Sequence, residues 1–177
     1  QYTSCAGSNL EPKMPVKTIR HPHSLDSKLS RCIVNLSQLK EGATLLDPFC
    51  GTGTILLQAN SMGIKAIGID YDKIMCKITR KNLQANGFSS KIINSTYHEM
   101  QNIRNKVDAI VTDLPYGISS RSSISPKKLI KDFVSMVPRR KKLVMVYKKG
   151  LDVQEMEKAK KYEIYRHKSL TRVIAVR

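Results

Sequence analysis

Long apolar runs are missing from this sequence. Its 177 residues contain no stretch of 18 or more consecutive apolar residues, so we expect no segment that spans a membrane. A secretory signal peptide is also missing, and the two absences together favour a cytoplasmic protein. The chain starts with Gln1 instead of methionine, and we therefore expect it to be a trimmed fragment or a processed chain.

Cysteine and acidic residues are both scarce. The four cysteines are scattered and form no CxxC pair, which argues against a zinc site and favours reduced thiols. The chain has 14 acidic residues and 31 Lys and Arg, which gives it a net charge of +17. Residues 126–177 hold sixteen of the basic residues and five of the acidic ones. Such a surplus indicates a polyanionic partner, because neutralised phosphates release counterions; a solvated basic face is the alternative.

Short apolar runs alternate with helix-like stretches along the chain, as in an α/β fold with a parallel sheet covered on both faces. The predicted strands are 43–47, 65–70, 91–94, 107–112, 142–147, 162–167 and 171–176. The predicted helices are 54–61, 72–85 and 126–136, with a further short helix at 152–160. The last two strands should form an antiparallel hairpin. This pattern predicts a Rossmann-like, seven-stranded, mostly parallel sheet in one domain, residues 20–177, after a lead-in segment, residues 1–19.

The most informative segment is 47–54, DPFCGTGT. A predicted strand ends in Asp47, a Gly-x-Gly turn follows, and a helix begins. Glycines in such a turn let the backbone approach a ligand closely. Leu56 stands where a dinucleotide fingerprint has its third glycine, and the Gly-Lys-Ser/Thr of a phosphate loop is missing as well. The ligand at this turn therefore need not be a phosphate.

A second acid, Asp70, ends the next predicted strand and is followed by Tyr71 and Asp72. A carboxylate at this place can accept hydrogen bonds from both hydroxyls of a ribose. For Asp72, the alternative role is the N-cap of the following helix. We interpret Asp70 as the ribose-binding acid.

A third acid opens the segment 113–117, DLPYG, at the end of the fourth predicted strand. An acid beside a proline-stiffened turn and an aromatic ring suits a flat base that carries an amino group. Tyr116 would stack on the base, an interaction worth ~1–3 kcal/mol. The Asp113 carboxylate and the Leu114 carbonyl would accept the two amino hydrogens, so that catalysis would be mostly positioning. The alternative interpretation is an ordinary turn.

Taken together, these segments resemble a known family. The glycine turn resembles motif I of class I S-adenosylmethionine-dependent methyltransferases, and 113–116 resembles the (D/N)PPY motif IV of amino-methylating enzymes. Residues 21–31 (HPHSLDSKLSR), 34–36 (VNL) and 47–59 (DPFCGTGTILLQA) are similar to the tRNA guanine-N2 methyltransferases that carry an N-terminal THUMP domain. The resemblance runs from about Arg20 to the end of the chain.

This resemblance implies S-adenosylmethionine as the cofactor, tRNA or another RNA as the partner and the N2 amino group of guanine as the methyl acceptor. The residues implied to bind the cofactor are Ser24, Asp47, Phe49, Cys50, Gly51, Thr52, Gly53, Asp70, Tyr71, Ser95 and Thr96. Those implied to hold the base are Asp113, Leu114, Pro115 and Tyr116. The chain lacks a THUMP domain, so another part of the protein or a partner chain would capture the RNA.

Two positions depart from the family's pattern. Ser95 stands where the family usually has an aspartate that binds the adenine amino group. Leu114 replaces the first proline of motif IV but keeps the backbone carbonyl, and leucine there also occurs among guanine-N2 enzymes. Two alternatives stay open: adenine-N6 methylation of DNA or RNA, and a scaffold that binds RNA without catalysis. No metal site is expected, because the four histidines show no ligand spacing with any cysteine or acid.

Overall fold

The computed structural model describes residues 25–115, 125–168 and 170–177. The helices are Ser27–Leu36 (α1), Thr54–Ser61 (α2), Lys73–Gln84 (α3), Met100–Ile103 (α4) and Pro126–Met136 (α5). The strands are Thr44–Asp47 (β1), Lys65–Asp70 (β2), Lys91–Asn94 (β3), Ala109–Asp113 (β4), Lys142–Lys148 (β5), Lys160–His167 (β6) and Leu170–Val176 (β7). The predicted lead-in segment, Ser24 and Tyr116 lie outside the described residues.

The seven strands form one sheet in the order β3-β2-β1-β4-β5-β7-β6. Strands β1 to β5 are parallel, whereas β7 pairs antiparallel with both β5 and β6. The predicted seven-stranded sheet and its C-terminal antiparallel hairpin are therefore confirmed. From β1 the chain runs outward through β2 and β3 and then returns to β4 on the other side of β1. This reversal creates a crevice at the carboxyl ends of β1 and β4, where ligands of such sheets bind.

Helices cover both faces of the sheet. Alternate strand residues point to opposite faces, so Leu45 packs in one cluster with residues of α1, α2 and α3. Its neighbour Leu46 packs in the other cluster with Met100 of α4 and Phe133 of α5. The two apolar layers hold the central strands rigidly and so position the polar residues at the strand ends.

The predicted helix at 152–160 is wrong. Only a single 3-10 turn, Gln154–Met156, forms there, and β6 begins at Lys160. Asp152 accepts hydrogen bonds from the Tyr147 hydroxyl at 2.9 Å and from Lys161 Nζ at 2.7 Å. These tertiary contacts and the pairing of Lys160 with Val176 outweigh the helical propensity of the segment.

Helix α1 and the helical turns over 97–106 were not among the predicted elements. In α1, the Asp26 side chain accepts a hydrogen bond from the Leu29 N–H at 2.8 Å and caps the first turn. Asp72 caps α3 in the same way, with the Ile74 N–H at 2.7 Å, which confirms the capping interpretation. Within the part of the chain that the structure describes, no helix combines the length and apolarity that crossing a membrane requires.

Candidate active site

Three neighbouring strands of the sheet each end in an aspartate. Asp47 ends β1, Asp70 ends β2 and Asp113 ends β4. Because β1, β2 and β4 are parallel and adjacent, the three acids lie at the same edge of the sheet. The structure therefore brings the three acids that the sequence singled out to one crevice.

The turn between β1 and α2 requires its glycines. Gly51 has φ 51° and Gly53 has φ 83°, in the left-handed region that side chains disfavour. A Cβ at Gly53 would lie 2.7 Å from Cγ2 of Thr79, so a larger residue there would clash as well as strain the backbone. A Cβ at Gly51 would meet no atom within 4 Å. The backbone at Gly51 thus faces open space that a ligand can fill.

Helix α3 holds the glycine turn through two buried polar side chains. The Thr79 hydroxyl donates to the Gly51 carbonyl at 2.6 Å, and the Asn82 amide donates to the Thr52 carbonyl at 2.9 Å. Neither residue of α3 was among the predicted site residues. The sequence signal for both residues was a polar side chain on the same face of α3 as Cys76 and Leu83, which are buried. A polar group on a buried face needs a hydrogen-bond partner.

Asp70 links the ends of β1 and β2. One carboxylate oxygen accepts the Gly51 N–H at 2.8 Å, and the other accepts the Asp72 N–H at 2.9 Å. Burial raises the pKa of Asp70, and these two hydrogen bonds partly oppose the rise. A carboxylate has about four acceptor sites, so each oxygen can accept a further bond from a ligand. The neighbouring Tyr71 is 61% exposed and offers a ring at the same rim.

Ser95, one of the residues implied to bind the cofactor, contacts the end of β2. The Ser95 N–H donates to the Asp70 carbonyl at 3.1 Å. The Asn94 amide donates to the carbonyls of Asp70 and Tyr71, each at 3.0 Å. The loop after β3 is therefore fixed against the end of β2.

Asp47 is fully buried at the base of the crevice. One of its oxygens accepts the Thr112 hydroxyl at 2.6 Å and the Phe49 N–H at 3.1 Å. Burial raises the pKa of Asp47 to about 7, although the two hydrogen bonds oppose the rise, and the nearby negative charges of Asp113 and Asp70 add to it. Asp47 at the end of β1 is therefore linked to β4 by its hydrogen bond with Thr112.

Aromatic side chains close one side of the glycine turn. Phe49 stacks on Tyr97 with ring centroids 5.1 Å apart and meets Phe133 of α5 edge-on at 5.5 Å. The Tyr97 hydroxyl donates to Asp132 of α5 at 2.6 Å. Phe49 was a predicted site residue and Tyr97 was not, because only the folded chain brings residues 49, 97 and 133 together.

Cys50 packs instead of reacting. It is buried, and burial raises the pKa of its thiol well above the ordinary value, which disfavours the nucleophilic thiolate. A Cβ added to Gly68 of β2 would lie 2.9 Å from the Cys50 sulfur. The cysteine therefore fills the tight space between the glycine turn and β2.

The segment after β4 begins with a firmly anchored backbone. The Leu114 N–H donates to the Val146 carbonyl of β5 at 2.9 Å, and the Leu114 side chain is buried. Pro115 is exposed. The Asp113 carboxylate lies 4.0 Å from a guanidinium nitrogen of Arg172 on β7. Arg172 was not predicted as a site residue, because it follows Asp113 by 59 positions along the chain and no local motif surrounds it.

A doubly wound sheet with a glycine turn after β1 and acids at adjacent strand ends is the architecture of class I S-adenosylmethionine-dependent methyltransferases. Residues 16–173 match UPF0020, the RMKL-like methyltransferase domain, and the chain belongs to this family. TrmN from Thermus thermophilus has the same fold, with a TM-score of 0.68 and 20% identity over 88% of this chain and 49% of that chain. An RNA methyltransferase from Salinibacter ruber in complex with S-adenosyl-L-homocysteine gives a TM-score of 0.61 and 17% identity, over 86% and 92% of the two chains.

The chain is also similar to curated proteins. It is 40% identical to a tRNA (guanine(10)-N2)-dimethyltransferase of Methanothermobacter thermautotrophicus, over 88% of this chain and 49% of the relative. A probable enzyme of that name from Methanothermococcus thermolithotrophicus is 37% identical, over 84% of this chain and 96% of the relative. The Methanocaldococcus jannaschii enzyme is 37% identical, over 88% and 46%. The chain thus spans about half the length of the first and third relatives and nearly all of the second.

Proposed function

We propose that this chain transfers a methyl group from S-adenosylmethionine to the N2 amino group of guanine in tRNA. The observation that carries the proposal is the convergence of the glycine turn, Asp70 and Asp113 on one crevice. The glycine turn and Asp70 suit a cofactor that contains a ribose, and Asp113 suits the amino group of a substrate. The names of the relatives support tRNA and guanine N2 as the substrate.

The residues around the glycine turn fit the proposed cofactor. Asp70 would accept hydrogen bonds from the ribose hydroxyls, and the exposed Tyr71 ring would lie against the adenine. Ser95 and Thr96 would contact the adenine edge. The open side of Gly51 would admit the methionine part, with Asp47 below it. The remaining cofactor-binding residues of this proposal are Ser24, Phe49, Cys50, Thr52 and Gly53.

The segment after β4 would hold the base. S-adenosylmethionine, when bound, supplies a methyl group on a positively charged sulfur, which keeps the electron pair of the broken C–S bond. Asp113 and the Leu114 carbonyl would accept the two amino hydrogens and aim the nitrogen lone pair at the methyl carbon. Pro115 would stiffen the turn, and Tyr116 would stack on the ring. The amino proton leaves only after the N–C bond forms, so Asp113 need not be a strong base.

The protein's partner in this proposal is RNA, bound through the basic surplus of the C-terminal part of the chain. Residues 20–177 would form the catalytic domain and residues 1–19 a lead-in segment. A THUMP-type domain, in the same protein or in a partner chain, would capture the tRNA. A cytoplasmic location stays a prediction from the sequence.

Nucleoside mass spectrometry tests the proposed reaction directly. The full-length protein is incubated with S-adenosylmethionine and unmodified tRNA transcripts, and the digested RNA is compared with that from a reaction without enzyme. We expect N2-methylated guanosine. N6-methyladenosine in tRNA or in duplex DNA would instead establish the adenine alternative. The absence of any product, together with no thermal shift on adding the cofactor, would identify a scaffold.

Replacement of Asp70 by alanine should weaken cofactor binding about 10–100-fold, because two hydrogen bonds to a charged group are lost and water replaces them in part. The same change removes the acceptor that holds the Gly51 N–H. Calorimetric titration of the folded variant measures the effect. Asp108→Ala is the matched control, since Asp108 accepts the Thr44 N–H at 2.8 Å at the opposite edge of the sheet. Equal affinities in wild type and Asp70→Ala would refute the ribose-binding role.

A further inference from the structure

A buried cation stands behind the Asp113 carboxylate. Arg172 lies near the start of β7, opposite Lys148 of β5, whereas Asp113 lies opposite Val146, two positions earlier on β5. A guanidinium nitrogen of Arg172 lies 4.0 Å from a carboxylate oxygen of Asp113. The two side chains are only 8% and 15% exposed, so water screens this ion pair far less than it screens a surface pair.

The other charges near Asp113 make this cation important. Asp47 on β1 is close enough for the two carboxylates to repel each other, and Asp70 on β2 adds a further negative charge at the same edge. Lys148 on β5 is exposed to solvent. Among these groups Arg172 is the cation that is buried beside Asp113, where its positive charge offsets the repulsion between the two carboxylates.

We propose that Arg172 is a positioning residue that keeps Asp113 ionised and aimed into the crevice. The inference rests on the proposed function, in which Asp113 accepts a hydrogen bond from the substrate's amino group. Both oxygens of an ionised carboxylate accept hydrogen bonds, whereas one oxygen of a protonated carboxyl carries a proton and acts as a donor. Arg172 lies across β5 from Asp113 and acts on the base through this acid.

The experiment is the pH dependence of single-turnover methyl transfer to tRNA at saturating cofactor. Loss of an opposite charge at this distance typically raises a carboxyl pKa by ~1–3 pH units. In Arg172→Met we therefore expect the acid limb of the rate profile to move up by about 1–2 pH units, with a partial return of the rate at high pH. Arg172→Lys keeps the charge and should keep the limb close to that of wild type. The cofactor affinity of both variants should be unchanged.

Arg177→Met is the matched control. Arg177 is also partly buried, but it follows the end of β7, whereas Arg172 lies near the start of that strand. The Arg177 guanidinium donates to the carbonyls of Val137 and Pro138. This variant should lose stability without moving the acid limb. A second readout needs no catalysis: carbon NMR of the Asp113 carboxyl in the protein without RNA should show the same rise of its pKa in Arg172→Met. If this variant does not fold, Arg172→Gln is measured in its place.

The outcomes separate the inference from the proposed function. A lower rate at every pH in Arg172→Met, with the limb and the Asp113 titration unchanged, would overturn the positioning role and leave a structural one. Adding Arg172→Met to Asp113→Asn should produce no further movement of the limb, because no acid remains at position 113. A wild-type rate in Asp113→Ala would contradict the proposed function itself, whatever Arg172 does to the titration of Asp113.

Discussion

Replacement of Asp113 by alanine should abolish methyl transfer to tRNA while it spares most of the cofactor binding. Asp113 ends β4 on the far side of β1 from Asp70, so the acid proposed to hold the base is separate from the acid proposed to hold the ribose. Loss of an interaction that strengthens in the transition state lowers the rate more than the binding. Removal of one preorganised hydrogen-bonding group typically lowers kcat by about 10²–10³-fold, and we expect a loss of at least this size.

Single-turnover rates at saturating cofactor measure this effect. Asp113→Asn should be milder, because its amide oxygen still accepts a hydrogen bond. Both variants remove the carboxylate that lies 4.0 Å from Arg172, so their folding is checked at the assay temperature. Asp108→Ala again serves as the control, since its side chain lies at the amino end of the strands. A wild-type rate in folded Asp113→Ala would place the base pocket elsewhere.

Replacement of Asp47 by asparagine should stabilise the protein without cofactor at pH 8 and change little at pH 4. Burial raises the pKa of Asp47 to about 7 from an ordinary value of 3.8. Between these values the folded state binds more protons than the unfolded state, so the free energy of unfolding falls as the pH rises. A difference of one pH unit between the folded and unfolded pKa corresponds to about 1.4 kcal/mol, which limits the total loss to about 4 kcal/mol. Above the folded pKa the loss is complete.

Asparagine suits this test because its amide oxygen can still accept the Thr112 hydroxyl and the Phe49 N–H. Urea unfolding of both proteins at several pH values measures the difference, which should grow steadily from about pH 4 to about pH 7. Parallel stability curves would show that the carboxyl of Asp47 is not perturbed. A stability gain that comes with weaker cofactor binding would show that the protein retains a destabilising acid because its function needs it.

The placement of the candidate site's residues could be predicted where they lie in one short segment. Asp47, Asp70 and Asp113 each follow an apolar run that is typical of a strand, and parallel strands bring their carboxyl ends to one edge. The glycine turn was equally clear, because its residues are consecutive. By contrast, the helix predicted at 152–160 failed, since local propensity competes there with the sheet contacts of Asp152 and Lys160.

The sequence by itself thus determined the α/β class, the five parallel strands, the terminal hairpin and the glycine turn after β1. These features follow from the periodicity of apolar residues and the special conformations of glycine, which are local properties of the chain. Only the tertiary structure decided the strand order, with β7 inserted between β5 and β6. That insertion brings Arg172 to Asp113, and the packing of α3 and α5 brings Thr79, Asn82 and Tyr97 to the glycine turn. These contacts join residues that lie far apart along the chain, and their partners are chosen by burial and hydrogen-bond satisfaction in the folded core.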